Sequence, residues 1–225
     1  MGRDILRKAK AIHERIGQPS ARKPSSRSQR IIVVAYDGKK TEAEYFSGWR
    51  RYVGYSGVAL KPLYIKSGGN VLNLVRLAKR RAKEDRTYDE FWCVCDIDDT
   101  SPEDVRLAIL SAQAEPKIRL AMSARSFEVW LALHWGRISL ACVNCEDEAV
   151  QLIKQHYSGY SKKNKFVPFS IVRDLAISAC ENAQWLRERG CKNPLTDVDL
   201  LVCQFLGESV SHLKNRRGEL NSSFE

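Results

Sequence analysis

Apolar positions change their spacing along the chain, and the change separates strands from helices. Ile31–Tyr36 is a continuous, β-branched apolar run, the pattern of a strand buried on both faces. Val58–Ile65, Glu90–Cys95 and Lys117–Met122 are three further strand candidates. The segments between them have helical spacing. Thr41–Val53 opens on a capping-box pattern, with Thr41 as N-cap and Glu44 three residues on. Val71–Ala82 puts Val71, Leu74, Val75 and Ala78 on one side and Arg/Lys on the other. Ser101-Pro102 marks the N-cap and first residue of a helix that runs to about Ala114. Three βα units in succession predict an α/β fold, a mainly parallel sheet of about four strands with right-handed crossovers and flanking helices. After Ser123 the pattern is mostly helical, over 126–135, 146–157, 169–189 and 196–207, so a helical C-terminal portion follows the sheet.

Charge divides the chain further. Of 225 residues, 37 are Lys or Arg and 27 Asp or Glu, a net charge of +10 that favours polyanion partners, nucleic acid first. Residues 1–30 hold nine of the basic groups against only Asp4 and Glu14. Ile5, Ile12 and Ile16 suggest a short helix over 3–16, and Gln18–Ser28 has the proline, serine and charge of a linker. The expected organisation is a basic arm over 1–29, a domain over 30–207 and a polar tail over 208–225. Arg3, Arg7, Lys8, Lys10, Arg22, Lys23 and Arg27 are the arm's candidate phosphate contacts. No apolar run reaches 18 residues and the first residues lack an apolar signal core, so neither a membrane span nor export is expected. Seven unevenly spaced cysteines, an odd number, fit a reduced cytoplasmic protein rather than a disulfide scaffold. Cys142-Val-Asn-Cys145 has a C-x-x-C spacing but no second pair to complete a zinc site.

In an open parallel sheet, ligands bind beyond the carboxyl ends of the strands. Two acidic groups fall there: Asp37-Gly38 with Glu42 after the first strand, and Asp96-Ile97-Asp98-Asp99 after the third. Clustered carboxylates repel unless a cation joins them, and hard oxygen donors suit Mg²⁺ or Mn²⁺. Lys162, Lys163 and Lys165 lie beside Tyr157 and Tyr160, a combination suited to a nucleic-acid strand or a pentavalent phosphate. Phe127, Trp130, Leu131 and His134 share one helix face, where His134 is either a core residue or a catalytic base. Ser67-Gly-Gly-Asn70 opens a helix without the lysine of a P-loop and reads as a turn.

Several segments together resemble the RloB-like family. They are Ile31–Phe46 (IIVVAYDGKKTEAEYF), Phe91–Asp98 (FWCVCDID) and Ser123–His134 (SARSFEVWLALH), followed by Ser161-Lys162-Lys163 and Asn193–Val202 (NPLTDVDLLV). The resemblance spans roughly 25–207. It implies a Toprim-like domain, a place in bacterial defence against phage beside partner proteins encoded nearby, and nuclease chemistry. It implies metal ligation by Asp37, Asp96 and Asp98, with Glu42 as a further candidate. Glu128, at the edge of the Ser-Phe-Glu helix, becomes an additional ligand or base. Asp37 departs from the family pattern, which has glutamate there, and reaches one methylene less far. Two alternatives stand beside a Mg²⁺- or Mn²⁺-dependent nuclease. One is a catalytically degenerate nucleic-acid-binding or signalling module. The other is a phosphotransferase built on Asp96-x-Asp98-x-Thr100, with Ser123, Lys162 or Lys163, and Asp197 or Asp199 in support.

Overall fold

The computed structural model describes residues 29–53, 57–85, 87–98, 100–140, 145–161 and 164–206. The basic arm, the polar tail, Lys162, Lys163 and Cys142 lie outside them. Four strands follow the expected runs closely: β1 (Arg30–Tyr36), β2 (Val58–Tyr64), β3 (Glu90–Asp96) and β4 (Ile118–Ala124). Helices α1 (Thr41–Val53), α2 (Val71–Glu84) and α3 (Pro102–Gln113) alternate with them. The helical portion comprises α4 (Phe127–Ala132), α5 (Cys145–His156), α6 (Phe169–Glu188) and α7 (Val198–Leu206), with a two-residue strand β5 (Leu195–Thr196) before α7.

The sheet order is β2-β1-β3-β4-β5. The first four strands are parallel, and β5 joins β4 antiparallel through Ser123↔Thr196 and Ala124↔Leu195. Sequence periodicity predicts helix from residue 196 and misses β5. Two residues carry no readable alternation, and the strand exists only because β4 offers it an edge. Arg187 of α6 secures this edge, donating to Thr196 O at 2.9 Å and forking onto the Asp199 carboxylate.

Strand alternation divides the core into two layers. Ile32, Val34 and Tyr36 of β1 and Trp92 and Val94 of β3 pack with α1 and the C-terminal helices. Val33 and Ala35 of β1, with Phe91, Cys93 and Cys95 of β3, pack on the other face with α2 and α3. Period-two side-chain direction produces this split. Cys93 and Cys95 are core residues, as their alternation implies, and burial pushes the Cys93 thiol up to about 12.

Local capping matches the sequence expectation at α3, departs from it at α1, and at α2 uses Asn70, which the sequence marks only as a turn residue. Ser101 Oγ caps α3 by accepting from Asp104 N, and Asn70 Oδ1 caps α2 by accepting from Asn73 N. At α1 the expected Thr41 cap is displaced by one residue. Lys40 O accepts from Glu44 N, which makes Thr41 the first helical residue, and its side chain turns inward and is buried. Gly48 in α1 permits close packing, since a Cβ there would lie 2.2 Å from the Phe169 ring.

Candidate active site

The chain from β1 runs through α1 outward to β2, and then crosses back under β1 to β3. The strand order therefore reverses between β1 and β3, and a crevice opens at their carboxyl ends. Tyr36 pairs with Val94, so β3 extends two residues past the last β1 pairing and ends on Asp96. Asp96 shares the parity of Trp92 and Val94 and points toward the layer that holds α1 and α4. Glu42, in the first turn of α1, and Glu128, in the first turn of α4, enter the same space.

These carboxylates feel one another. Burial raises the Glu42 carboxyl to about 7, and the negative charges of Glu128 and Asp37 reinforce the shift. Burial also pushes Asp96 well above the usual carboxylate range, with Glu42, Glu128 and Glu146 adding to it. Burial alone would raise Glu128 as well. Lys165 Nζ at 2.7 Å and the Tyr160 hydroxyl, donating at 3.0 Å, outweigh burial and hold it below its ordinary value. Among the described residues, no ion pair reaches Glu42 or Asp96. Gly38 makes room for Glu42: a Cβ at position 38 would lie 1.8 Å from Glu42 Oε2.

The other acids expected at the site are engaged elsewhere. Asp37 has the opposite parity to Tyr36, so it turns to the α2 side. There its Oδ2 accepts from Ser67 Oγ and from Gly69 N, both at 2.7 Å. It organises the turn before α2. Asp98 lies past the end of β3, in a turn where Thr100 N donates to Ile97 O, so strand alternation no longer aims it beside Asp96. It is exposed and paired with Arg125 at 2.8 Å. Arg125 itself has φ +78°, a left-handed conformation at the exit from β4 that is uncommon for a residue with a side chain.

His134 is in the core. It is 1 % exposed, stands at ring-contact distance from Tyr45, Trp130 and Trp135, and its pKa is pushed down to about 4 by burial. Its Nδ1 faces the Trp130 and Leu131 carbonyls at 3.2 and 3.0 Å, so that nitrogen carries the proton. The catalytic reading of His134 is therefore replaced by a core role. Asp197 and Asp199, the supporting acids of the phosphotransferase alternative, are buried and paired with Arg187.

A family model described as RloB-like protein matches residues 32–205. The chain belongs to the RloB-like family. No curated protein and no solved structure matches this RloB-like chain. The matched span covers the sheet apart from the first two residues of β1, Arg30 and Ile31, and includes Asp37, Glu42, Asp96, Glu128 and Lys165. No helix among the described residues is long and apolar enough to cross a membrane.

The donor set of this RloB-like protein suits a hard cation. Among the described residues no group of three or more His, Cys, Asp or Glu side chains forms a cage for a metal ion. Mg²⁺ needs no such cage, because it keeps several waters and binds through one or two carboxylates plus substrate phosphates. Glu42 and Asp96, both raised and neither ion-paired among the described residues, fit that open kind of site. The sequence groups Tyr160 and Lys165 as a lysine–aromatic loop but gives no signal that they meet Glu128. Tyr160 and Lys165 sit 32 and 37 positions after Glu128, and only the return of the chain after α5 brings them to it.

Proposed function

We propose that this RloB-like protein is a divalent-metal-dependent nuclease that hydrolyses phosphodiesters of RNA, such as tRNA, or of DNA. In this reading it is a Toprim-like enzyme of bacterial anti-phage defence, acting in the cytoplasm with partner proteins encoded nearby. The observation that carries it is the Glu42–Asp96 pair, two carboxylates at the crevice where the strand order reverses, neither of them ion-paired among the described residues. A bound Mg²⁺ or Mn²⁺ would supply neutralising charge for the phosphate and a more acidic water.

The chain's own residues do the positioning. Asp96, on the end of a central strand, and Glu42, braced over Gly38, would hold the cation. In the metal-free crevice Glu128 holds Lys165 through their 2.7 Å ion pair. Asp37 holds the 67–69 turn against the sheet, so it acts on the shape of the crevice and not as a ligand. The basic arm, with Lys162, Lys163 and Lys165, supplies phosphate attraction that falls with salt.

A specific observation favours a second reading, a nucleic-acid-binding or signalling module without catalysis. Asp37 and Asp98, two of the three metal residues implied by the family resemblance, are committed to the 67–69 turn and to Arg125. Labelled tRNA, single-stranded DNA and plasmid DNA, incubated with Mg²⁺, Mn²⁺ or EDTA, decide between the two. Cleavage that needs the metal and disappears in Asp96→Asn supports the nuclease. Binding that is unaffected by EDTA, with no cleavage of any substrate, supports the module.

A further inference from the structure

Among the described residues, Lys165 is the cation whose ion pair with a crevice carboxylate stands at 2.7 Å. Lys165 lies between α5 and α6, and its Nζ stands 2.7 Å from Glu128 Oε1, the same oxygen that accepts from Tyr160. The two partners differ in freedom. The Glu128 side chain is 3 % exposed and belongs to a helix packed in the core, whereas the Lys165 side chain is 34 % exposed and sits on a connecting segment. The lysine is the partner able to move. Its charge is also felt at Glu42 and at Asp96. Three acids drawn together away from water need compensating charge, and breaking a buried pair strands the remaining ion.

We propose that Lys165 is the resident counter-ion of the metal-free crevice, and that a divalent cation and the Lys165 ammonium compete for these carboxylates. Metal entry then displaces Lys165 from Glu128 toward solvent. The ion pair keeps the acids together until the metal arrives, and it sets a threshold on loading. This inference rests on the reading of Glu42 and Asp96 as a metal site.

The test uses the full chain and Mn²⁺ as the probe. Lys165→Met keeps the length of the side chain and removes the charge, and Lys165→Arg keeps the charge. Calorimetric titration should show Mn²⁺ binding to Lys165→Met tighter by about tenfold, the weight of one hydrogen bond to a charged group. Its Tm in EDTA should fall below wild type, and its gain in Tm on adding Mn²⁺ should exceed that of wild type. Lys165→Arg should stay close to wild type in both. Amine labelling of wild type, read by mass spectrometry, needs no variant: Lys165 should react faster in Mn²⁺ than in EDTA. If wild type binds Mn²⁺ but Lys165→Met binds it equally or more weakly, or if Lys165 labelling does not respond to Mn²⁺, the counter-ion role is overturned and the metal site stands. If wild type binds no Mn²⁺, the metal site itself is overturned, and the competition with it.

Discussion

Replacing Gly38 by alanine should disable the crevice without unfolding the protein. A Cβ at position 38 would fall 1.8 Å from Glu42 Oε2, 2.0 Å from Cδ and 2.1 Å from Oε1. Non-bonded carbon and oxygen do not approach much below about 3 Å, so the carboxylate must retreat by roughly 1.2 Å or more. The obstructing atoms are the far end of a flexible side chain, and the Gly38 backbone is not in the left-handed region. The fold should therefore lose only about 1 kcal/mol, or ~2–4 °C in Tm for a chain of this size. The site loses much more. A misplacement of about 1 Å in a positioned group costs on the order of 10²-fold in rate. The assay is single-turnover cleavage in Mn²⁺ on a competent nucleic acid, beside calorimetric Mn²⁺ binding and thermal melts. Gly38→Ala should resemble Glu42→Gln in cleavage and in binding. Wild-type cleavage and Mn²⁺ affinity in Gly38→Ala, with Glu42→Gln impaired, would refute the argument that Glu42 must sit over Gly38 to act.

Three further outcomes follow from the same geometry. Asp96→Asn should weaken Mn²⁺ binding and slow cleavage by at least about 10²-fold, whereas Asp98→Asn, which loses only an exposed pair with Arg125, should stay within a few-fold of wild type; equal damage from both would return Asp98 to the site. Asp37→Ala should cost roughly 1–3 kcal/mol in chemical denaturation, through its lost bonds to Ser67 and Gly69, while retaining Mn²⁺ affinity; loss of Mn²⁺ binding without loss of stability would make Asp37 a ligand. His134 has a folded pKa near 4 against an ordinary 6.5, so the unfolded chain binds the proton that the native state refuses between those values. Its contribution is present above pH ~6.5 and is lost as pH falls toward 4, by up to about 3 kcal/mol. His134→Phe should flatten stability against pH across that window, and parallel wild-type and variant curves would count against the buried neutral imidazole.

The α/β plan is legible in the sequence because its causes are local. The β-branched apolar run Ile31–Tyr36 is short enough to read as a strand buried on both faces, and the helical spacing between the strand candidates specifies crossovers. Ser101-Pro102 carries its own capping chemistry. Even the division of the acids is written in strand parity: Asp96 shares the phase of Trp92 and Val94, and Asp37 is out of phase with Tyr36. Reading that parity as function needs one further fact, which layer α1 and α4 occupy, and no local pattern states it. Asp98 shows the limit of the same rule, since alternation ends where the strand ends and a two-residue spacing in a turn no longer shares a face.

The sheet, its four parallel strands and the crevice end at which Glu42 and Asp96 lie were readable along the chain, because those follow from short-range periodicity and from the general topology of parallel sheets, whereas the family was read from the order of short motifs that resemble it. Only the tertiary structure decided the partners of each charge. Asp37 went to the 67–69 turn, Asp98 to Arg125, His134 to the aromatic core and Lys165 to Glu128, and β5 formed on an edge supplied by β4. The polar contacts of Asp37 and Asp98 and the Ser123–Thr196 contact that ties β5 to β4 join residues 27 to 73 positions apart. They depend on how layers stack and where the chain returns, which the spacing of residues along the chain does not encode.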